Sequence, residues 1–259
     1  DAPEAERTLD MPGLQAPVQI TWDDRMVPHI FAQNDRDLYY AQGYVTALMR
    51  LWQMDTQTRQ AGGRLSEFVG AKALDTDMFF RRIGMTEAAE RSVELMSQDP
   101  ATMAAVEAYT AGINAYIQQI GYANYPIEYK LLGYAPEEWT PLKTALMLKL
   151  MAWTLTGANR DLALTNAMLR FGPAVVDSLY PNRTPFQDPI IPAGTEWDFD
   201  SVLRAAAPET PLATDSNTYL NNLPRPDPAN GSNNWALHGS RSASGYPILA
   251  NDPHLDLSL

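Results

Sequence analysis

The sequence predicts an α+β protein that is mostly helical, with short strands near both ends. Three observations predict it. Apolar residues recur at helical spacing through the middle of the chain, alternating segments lie near each terminus, and a Pro- and Asn-rich stretch separates the last of these from the helices. With 259 residues, 45% of them apolar and 10% aromatic, the chain is long enough to bury a sizeable core.

Taken in order, residues 18–32 read as two short strands joined by a turn at Asp23-Asp24-Arg25. Asp35 to Gln60 reads as a long helix, because Leu38, Ala41, Val45, Leu48, Leu51, Trp52 and Met54 keep a 3.6-residue spacing. Asn34 or Asp35 suits its N-cap, and Gly62-Gly63 ends it. A second helix covers about 101–120, with Val106, Tyr109, Ile113, Tyr116 and Ile117 on one face. A third, about 141–155, opens on Thr140-Pro141, a cap and first-turn pair. It is apolar almost all round and is therefore expected to be buried. A fourth, about 159–171, closes at Gly172.

From 203 to 231 the composition changes, with Pro208, Pro211, Pro224, Pro226 and Pro228 among Asn, Asp, Thr and Ala. Such a segment suits a linker and not a packed element. Strands then follow at Asn233–Ser240 and Tyr246–Asn251, turning through Ser242–Gly245. A two-stranded hairpin is marginal alone, so a sheet-forming partner is expected. The chain contains no internal repeat.

Nineteen basic against 31 acidic residues give a formal net charge of −12. No basic run is available to replace counterions on a phosphate backbone or an anionic membrane, which argues against both partners. No apolar run reaches the roughly 18 residues of a membrane span. With no Cys, disulfides, a thiol nucleophile and thiolate metal sites are excluded. The start at Asp1, acidic and Pro-containing, reads as a chain from which an export signal has been removed, which points to a periplasmic or secreted protein.

The chemistry concentrates at Gly231-Ser232-Asn233-Asn234-Trp235 and Ala250-Asn251-Asp252-Pro253-His254. If the Gly231–Ser232 bond breaks, Ser232 becomes a chain head on which a hydroxyl and a free amine share one residue. A terminal amine with a pKa of about 7.7–8.0 is partly neutral near pH 7 and can accept the hydroxyl proton. Gly231, lacking a Cβ, tolerates unusual backbone angles and leaves its carbonyl open to Ser232 Oγ. Without that context, Gly-Ser is an ordinary loop dipeptide. His29 and His238 read as structural, and no His pair has metal-ligand spacing. No G-x-S-x-G elbow is present, which argues against a serine hydrolase of that kind.

The segments Val27-Pro28-His29-Ile30, Gln42-Gly43-Tyr44, Arg50-Leu51-Trp52-Gln53-Met54, Gly63-Arg64-Leu65-Ser66-Glu67, Arg81-Arg82-Ile83-Gly84, Ala111-Gly112-Ile113-Asn114-Ala115, Pro136-Glu137-Glu138-Trp139-Thr140-Pro141 and Met151-Ala152-Trp153, followed by the Ser232 segment, resemble in order the penicillin acylase family. These N-terminal-nucleophile hydrolases are made as one precursor and cut into two chains. The resemblance implies a mainly helical first subunit at about 1–202, a spacer removed on maturation at 203–231, and the opening of a second subunit at 232–259. It implies that the strands begin an αββα sandwich, with the remainder of the second subunit as partner. It further implies an amide hydrolase acting on small N-acyl substrates such as penicillins or N-acyl homoserine lactones.

In site terms, the resemblance makes Ser232 the nucleophile and Gly231-Ser232 the autoproteolysis site. His254 would orient the terminal amine, while Met151, Leu155 and Leu255 would line the acyl pocket. Read from the residues alone, Asn233 and Asn234 could orient the nucleophile or simply cap strand ends, and Asn233 is the candidate of the two. The oxyanion donors of the family lie further along the second subunit than this sequence reaches. No cofactor is implied. Some family members hold a structural calcium through a first-subunit Glu, but Gly157-Ala158-Asn159-Arg160-Asp161 has no Glu there, only Asp161, and calcium needs six or more oxygens. The rival expectation is a non-catalytic helical binding or scaffold protein that keeps an unprocessed acylase-like sequence.

Overall fold

The computed structural model describes residues 8–155, 161–181, 186, 191, 194–196 and 232–253. Two compact units are distinguished, Asp1–Leu155 with Leu223–Leu259, and Thr156–Asn222. The architecture is α+β and dominated by helices, as expected.

In the first unit, β1 (Gln19–Trp22) pairs antiparallel with β2 (Pro28–Phe31). The Asp23 carboxylate holds the intervening turn by accepting from the backbone N–H of Arg25 and Val27 at 2.9 and 2.8 Å. Helix α1 (Asp35–Ala61) starts at Asn34, whose side chain accepts from Asp37 N. It ends at Gly62, within a residue or two of the expected limits. Arg50 departs from helical angles inside it (φ −140°, ψ 21°).

The buried Asp37 carboxylate accepts from the backbone of Gln15 and Ala16, each at 2.9 Å, and so ties the leading segment to α1. Burial pushes this carboxyl up, but these bonds, a further one from the Asn34 amide and the charge of Arg36 outweigh it and hold the carboxyl below its usual range.

After α1 come α2 (Ser66–Val69), α3 (Leu74–Arg82) and α4 (Met85–Ser97), for which the sequence reading has no counterpart. None of their N-cap residues (Leu65, Ala73 and Gly84) makes a side-chain capping bond. The start signals that mark helices elsewhere are missing here. Tertiary bonds replace them: the buried Asp77 carboxylate accepts from Leu65 N at 2.8 Å and from Ser66 N at 2.7 Å.

Helix α5 (Pro100–Gln119) begins at Asp99, which caps through Ala101 N and Thr102 N. It packs closely along α1. At the crossing a Cβ on Gly43 would meet the Tyr109 carbonyl oxygen, and one on Gly112 would meet the Tyr40 carbonyl oxygen. The two glycines set the approach. Helix α6 (Ile127–Leu132) and helix α7 (Pro141–Thr154) complete the bundle. One core cluster joins Ala61, Phe80, Met85, Ala89, Ala145, Leu146 and Leu150; another joins Ala47, Leu51, Met54, Ile113, Tyr129 and Trp139.

Thr140 is the N-cap of α7 and Pro141 its first helical residue, as expected; the cap acts through its backbone carbonyl, which accepts from Lys143 and Thr144, and not through its side chain. One expectation for α7 is corrected: the helix is not buried all round. Lys143, Ala145, Leu146 and Leu150 are buried, whereas Leu148, Met151 and Leu155 stand exposed. The apolar sequence covers two faces, and only one of them finds a partner among the described residues.

In the second unit, α8 (Asp161–Phe171) and α9 (Pro173–Leu179) pack on each other across Gly172. The expected start of this helix near 159 and the stretch at 203–231 lie outside the described residues. Returning to the first unit, β3 (Ser232–Leu237) and β4 (Ile248–Pro253) form the second hairpin. A short 3-10 turn at Gly239–Arg241 replaces the end of the longer strand expected to reach Ser240.

Candidate active site

Ser232 is the first residue of β3 and is exposed. The register sets Ser232 opposite Pro253, Asn233 opposite Asp252, Asn234 opposite Asn251 and Trp235 opposite Ala250. Pro253 has no N–H, so Ser232–Pro253 cannot be a hydrogen-bonded pair of the ladder. Alternation then makes Asn233–Asp252 and Trp235–Ala250 the bonded pairs and Asn234–Asn251 another non-bonded one. The Ser232 N–H and C=O therefore face away from β4, toward the other edge of β3. No further strand pairs there among the described residues.

Side chains alternate between the hairpin faces. Ser232, Asn234 and Ala236 share one face with Pro253, Asn251 and Leu249. Asn233, Trp235 and Leu237 share the other with Asp252, Ala250 and Ile248. Asn233 thus lies on the face opposite the Ser232 side chain. Each face exposes a large apolar group, with Trp235 57% and Leu249 79% accessible, the pattern of a sheet built to be covered on both sides.

His238 Nδ1 accepts from Ser240 N at 3.2 Å and lies 3.0 Å from Ser240 Oγ, so it closes the turn after β3. His29 stands 3.6 Å from the Asp23 carboxylate in the first hairpin. Both placements match a structural reading.

Met151 and Leu155 lie on the last turn of α7 and its cap, 46% and 61% accessible, with Leu148 in line with them. The described packing joins this stripe to the hairpin through no extensive contact. Gly231, His254 and Leu255 lie outside the described residues; His254 follows directly after Pro253, the partner of Ser232. Among the described residues no three His, Cys, Asp or Glu side chains gather as a metal site; the stretch 157–160, considered for a calcium ligand, lies outside the described residues.

The sequence reading missed a charged network that sets the start of α7. Buried Arg59 bonds to Asp55 at 3.1 Å, Glu67 at 2.7 Å and Glu137 at 2.8 Å. Arg64 bridges Glu67 at 2.7 Å and Glu137 at 2.8 Å, and Lys143 reaches Glu137 at 3.2 Å. Partial burial pushes the Glu137 carboxyl up. Hydrogen bonds from Arg64 and Lys143, with the charges of Lys143 and Arg59, outweigh that effect and hold it at about 2. Burial pushes the Tyr129 phenol up, and Asp55 and Tyr134 push it the same way.

The signal for this network was present in the Gly63–Glu67 and Pro136–Pro141 segments, whose charges meet here. A cleft of about 700 Å³ opens beside it. The cations lining the cleft are already engaged by Glu67, Glu137 and the Gly63 carbonyl.

The penicillin amidase family model matches residues 17–259. The penicillin acylase 2 proenzyme of Pseudomonas sp. (strain SE83) is 36% identical over 264 residues, covering 97% of this chain and 32% of that protein. An acyl-homoserine lactone acylase of Pseudomonas aeruginosa is 30% identical over 252 residues, covering 95% of this chain and 29% of that protein. The chain spans about a third of the length of these curated relatives. A solved structure, thermostable penicillin G acylase from Alcaligenes faecalis in tetragonal form, is similar with a TM-score of 0.56 at 25% identity. The likeness covers 69% of this chain and 98% of that one.

Proposed function

The chain belongs to the penicillin amidase family, and from that premise we propose that it carries the first subunit and the head of the second subunit of an acylase precursor, with Ser232 as the nucleophile. The observation that carries this reading is the place of Ser232, exposed as the first residue of β3 and directly behind the stretch read as a spacer. Two further facts support it. A relative is described as a proenzyme. The solved neighbour is matched over 98% of its length by 69% of this chain, so it exists as a shorter polypeptide, as a separate first subunit would.

Maturation would start with attack of Ser232 Oγ on the Gly231 carbonyl, shifting the acyl bond from nitrogen to oxygen. Water then frees the Gly231 carboxylate and leaves Ser232 with a terminal amine. In turnover, that amine takes the Ser232 hydroxyl proton while Oγ forms a bond to the substrate's acyl carbon. The C–N bond breaks, and the leaving amine departs with the proton. Water, deprotonated by the same amine, hydrolyses the ester and releases the acid.

His254 orients the amine, and Met151, Leu155 and Leu255 hold the acyl group. Exposure of Met151 and Leu155 favours this role, because a helix face committed to the local core would be closed to a substrate. The substrates proposed are penicillin-like amides and N-acyl homoserine lactones. No cofactor is needed, and the site of action is periplasmic or extracellular.

The full-length protein should hydrolyse members of a panel of N-acyl amides differing in acyl length and aromaticity, and Ser232→Ala should lose this activity by at least about 10⁴-fold. Undiminished hydrolysis by Ser232→Ala would refute the assignment. An inert, uncut parent protein would favour a binding or scaffold role.

A further inference from the structure

The face of β3 and β4 that carries the Ser232 side chain also carries two carboxamides, Asn234 and Asn251, set directly opposite each other. Theirs is a non-bonded pair of the ladder, so the two Cα atoms approach to about 4.5 Å and the side chains lie closer than in a bonded pair. Asn251 is also the diagonal neighbour of Ser232, at about 7–8 Å, within reach of a polar side chain and a substrate lying over both. Asn233 points the other way, opposite Asp252.

We propose that Asn234 and Asn251 are positioning residues for the nucleophile: their paired carboxamides orient the Ser232 hydroxyl and the substrate amide above it, whereas Asn233 takes no part. The inference rests on the function proposed above. A carboxamide suits the place because it presents two N–H donors and a carbonyl acceptor without a charge. Each can therefore bond both ends of an amide. A carboxylate on this face would stabilise the protonated form of the nearby terminal amine and deprive Ser232 of its base.

The test uses the full-length processed enzyme. Asn234→Leu and Asn251→Leu, which keep the side-chain volume and remove the polar atoms, should lower kcat at least about tenfold. KM and the melting temperature should change little, and Asn233→Leu should stay within about twofold of the parent. Asn251→Asp, of the same shape, should move the acid limb of the kcat–pH profile upward by about half a pH unit or more, since a carboxylate near the amine raises its pKa. Packing alone would leave that limb in place.

Failure of a Leu variant to mature, at an unchanged melting temperature, is the same loss one step earlier and supports the proposal. Parent-like kcat in both Leu variants, an equal loss in Asn233→Leu, or an unmoved acid limb in Asn251→Asp overturns it while the acylase assignment stands. A parent protein that is neither cut nor active overturns the assignment, and this inference with it.

Discussion

Single side chains decide how the segments of this chain meet, and most of those side chains are carboxylates. Asp37, Asp77 and Glu137 each bind groups far away in sequence. Glu137 gathers Arg59, Arg64 and Lys143 around one carboxylate and is held at about 2. Its ordinary value is about 4.3, so the folded-state value is depressed. The stability it contributes is full above the ordinary value and is lost as pH falls from there through about 2. Glu137→Gln should therefore lower the melting temperature at neutral pH and flatten its decline between about pH 4.3 and 2. Melting curves across that window check this, and an unchanged decline in the variant would contradict it.

Helices read well from sequence where local signals agree with packing. Helix α1 has a side-chain cap, 3.6-residue spacing and a Gly stop, and α5 has Asp99 before Pro100. The limits of both were legible to within a residue or two. Helices α2 to α4 were not, because no side-chain cap marks their starts; that of α2 is held by Asp77 and that of α4 by Met85 in the core. Burial of α7 was misjudged for a related reason: composition shows that a helix is apolar, not how many of its faces are partnered.

Glycines at an interhelical crossing have no sequence signature of their own, yet Gly43 and Gly112 let α1 and α5 touch backbone to backbone. In Gly112→Ala the new Cβ would run into the Tyr40 carbonyl, which cannot swing aside as a side chain tip could. A cost of about 1–3 kcal/mol is expected, read as a fall of roughly 2–4 °C per kcal/mol in the melting temperature for a chain of this size. A variant that melts with the parent would show that the crossing is looser than described.

For the molecule as a whole, the candidate site was partly legible. The hairpin follows from alternation and turn residues, its register does not, and Ser232 stands out because a hydroxyl there can gain an amine. Strand alternation places Asn234 and Asn251, and not Asn233, on the face of the Ser232 side chain, a distinction that needs the register. The exposed groups Trp235, Leu249, Met151 and Leu155 could not be read as such from sequence, since exposure depends on what else folds against them. They belong to surfaces that the proposed second subunit and substrate would cover.

The central claim is that Ser232 becomes the head of its own chain. Intact mass measurement of the purified full-length protein tests it most directly. The account predicts a two-chain product in which one chain begins at Ser232, and a single uncut chain for Ser232→Ala. A single chain from the parent, or the same two chains from the variant, would contradict it.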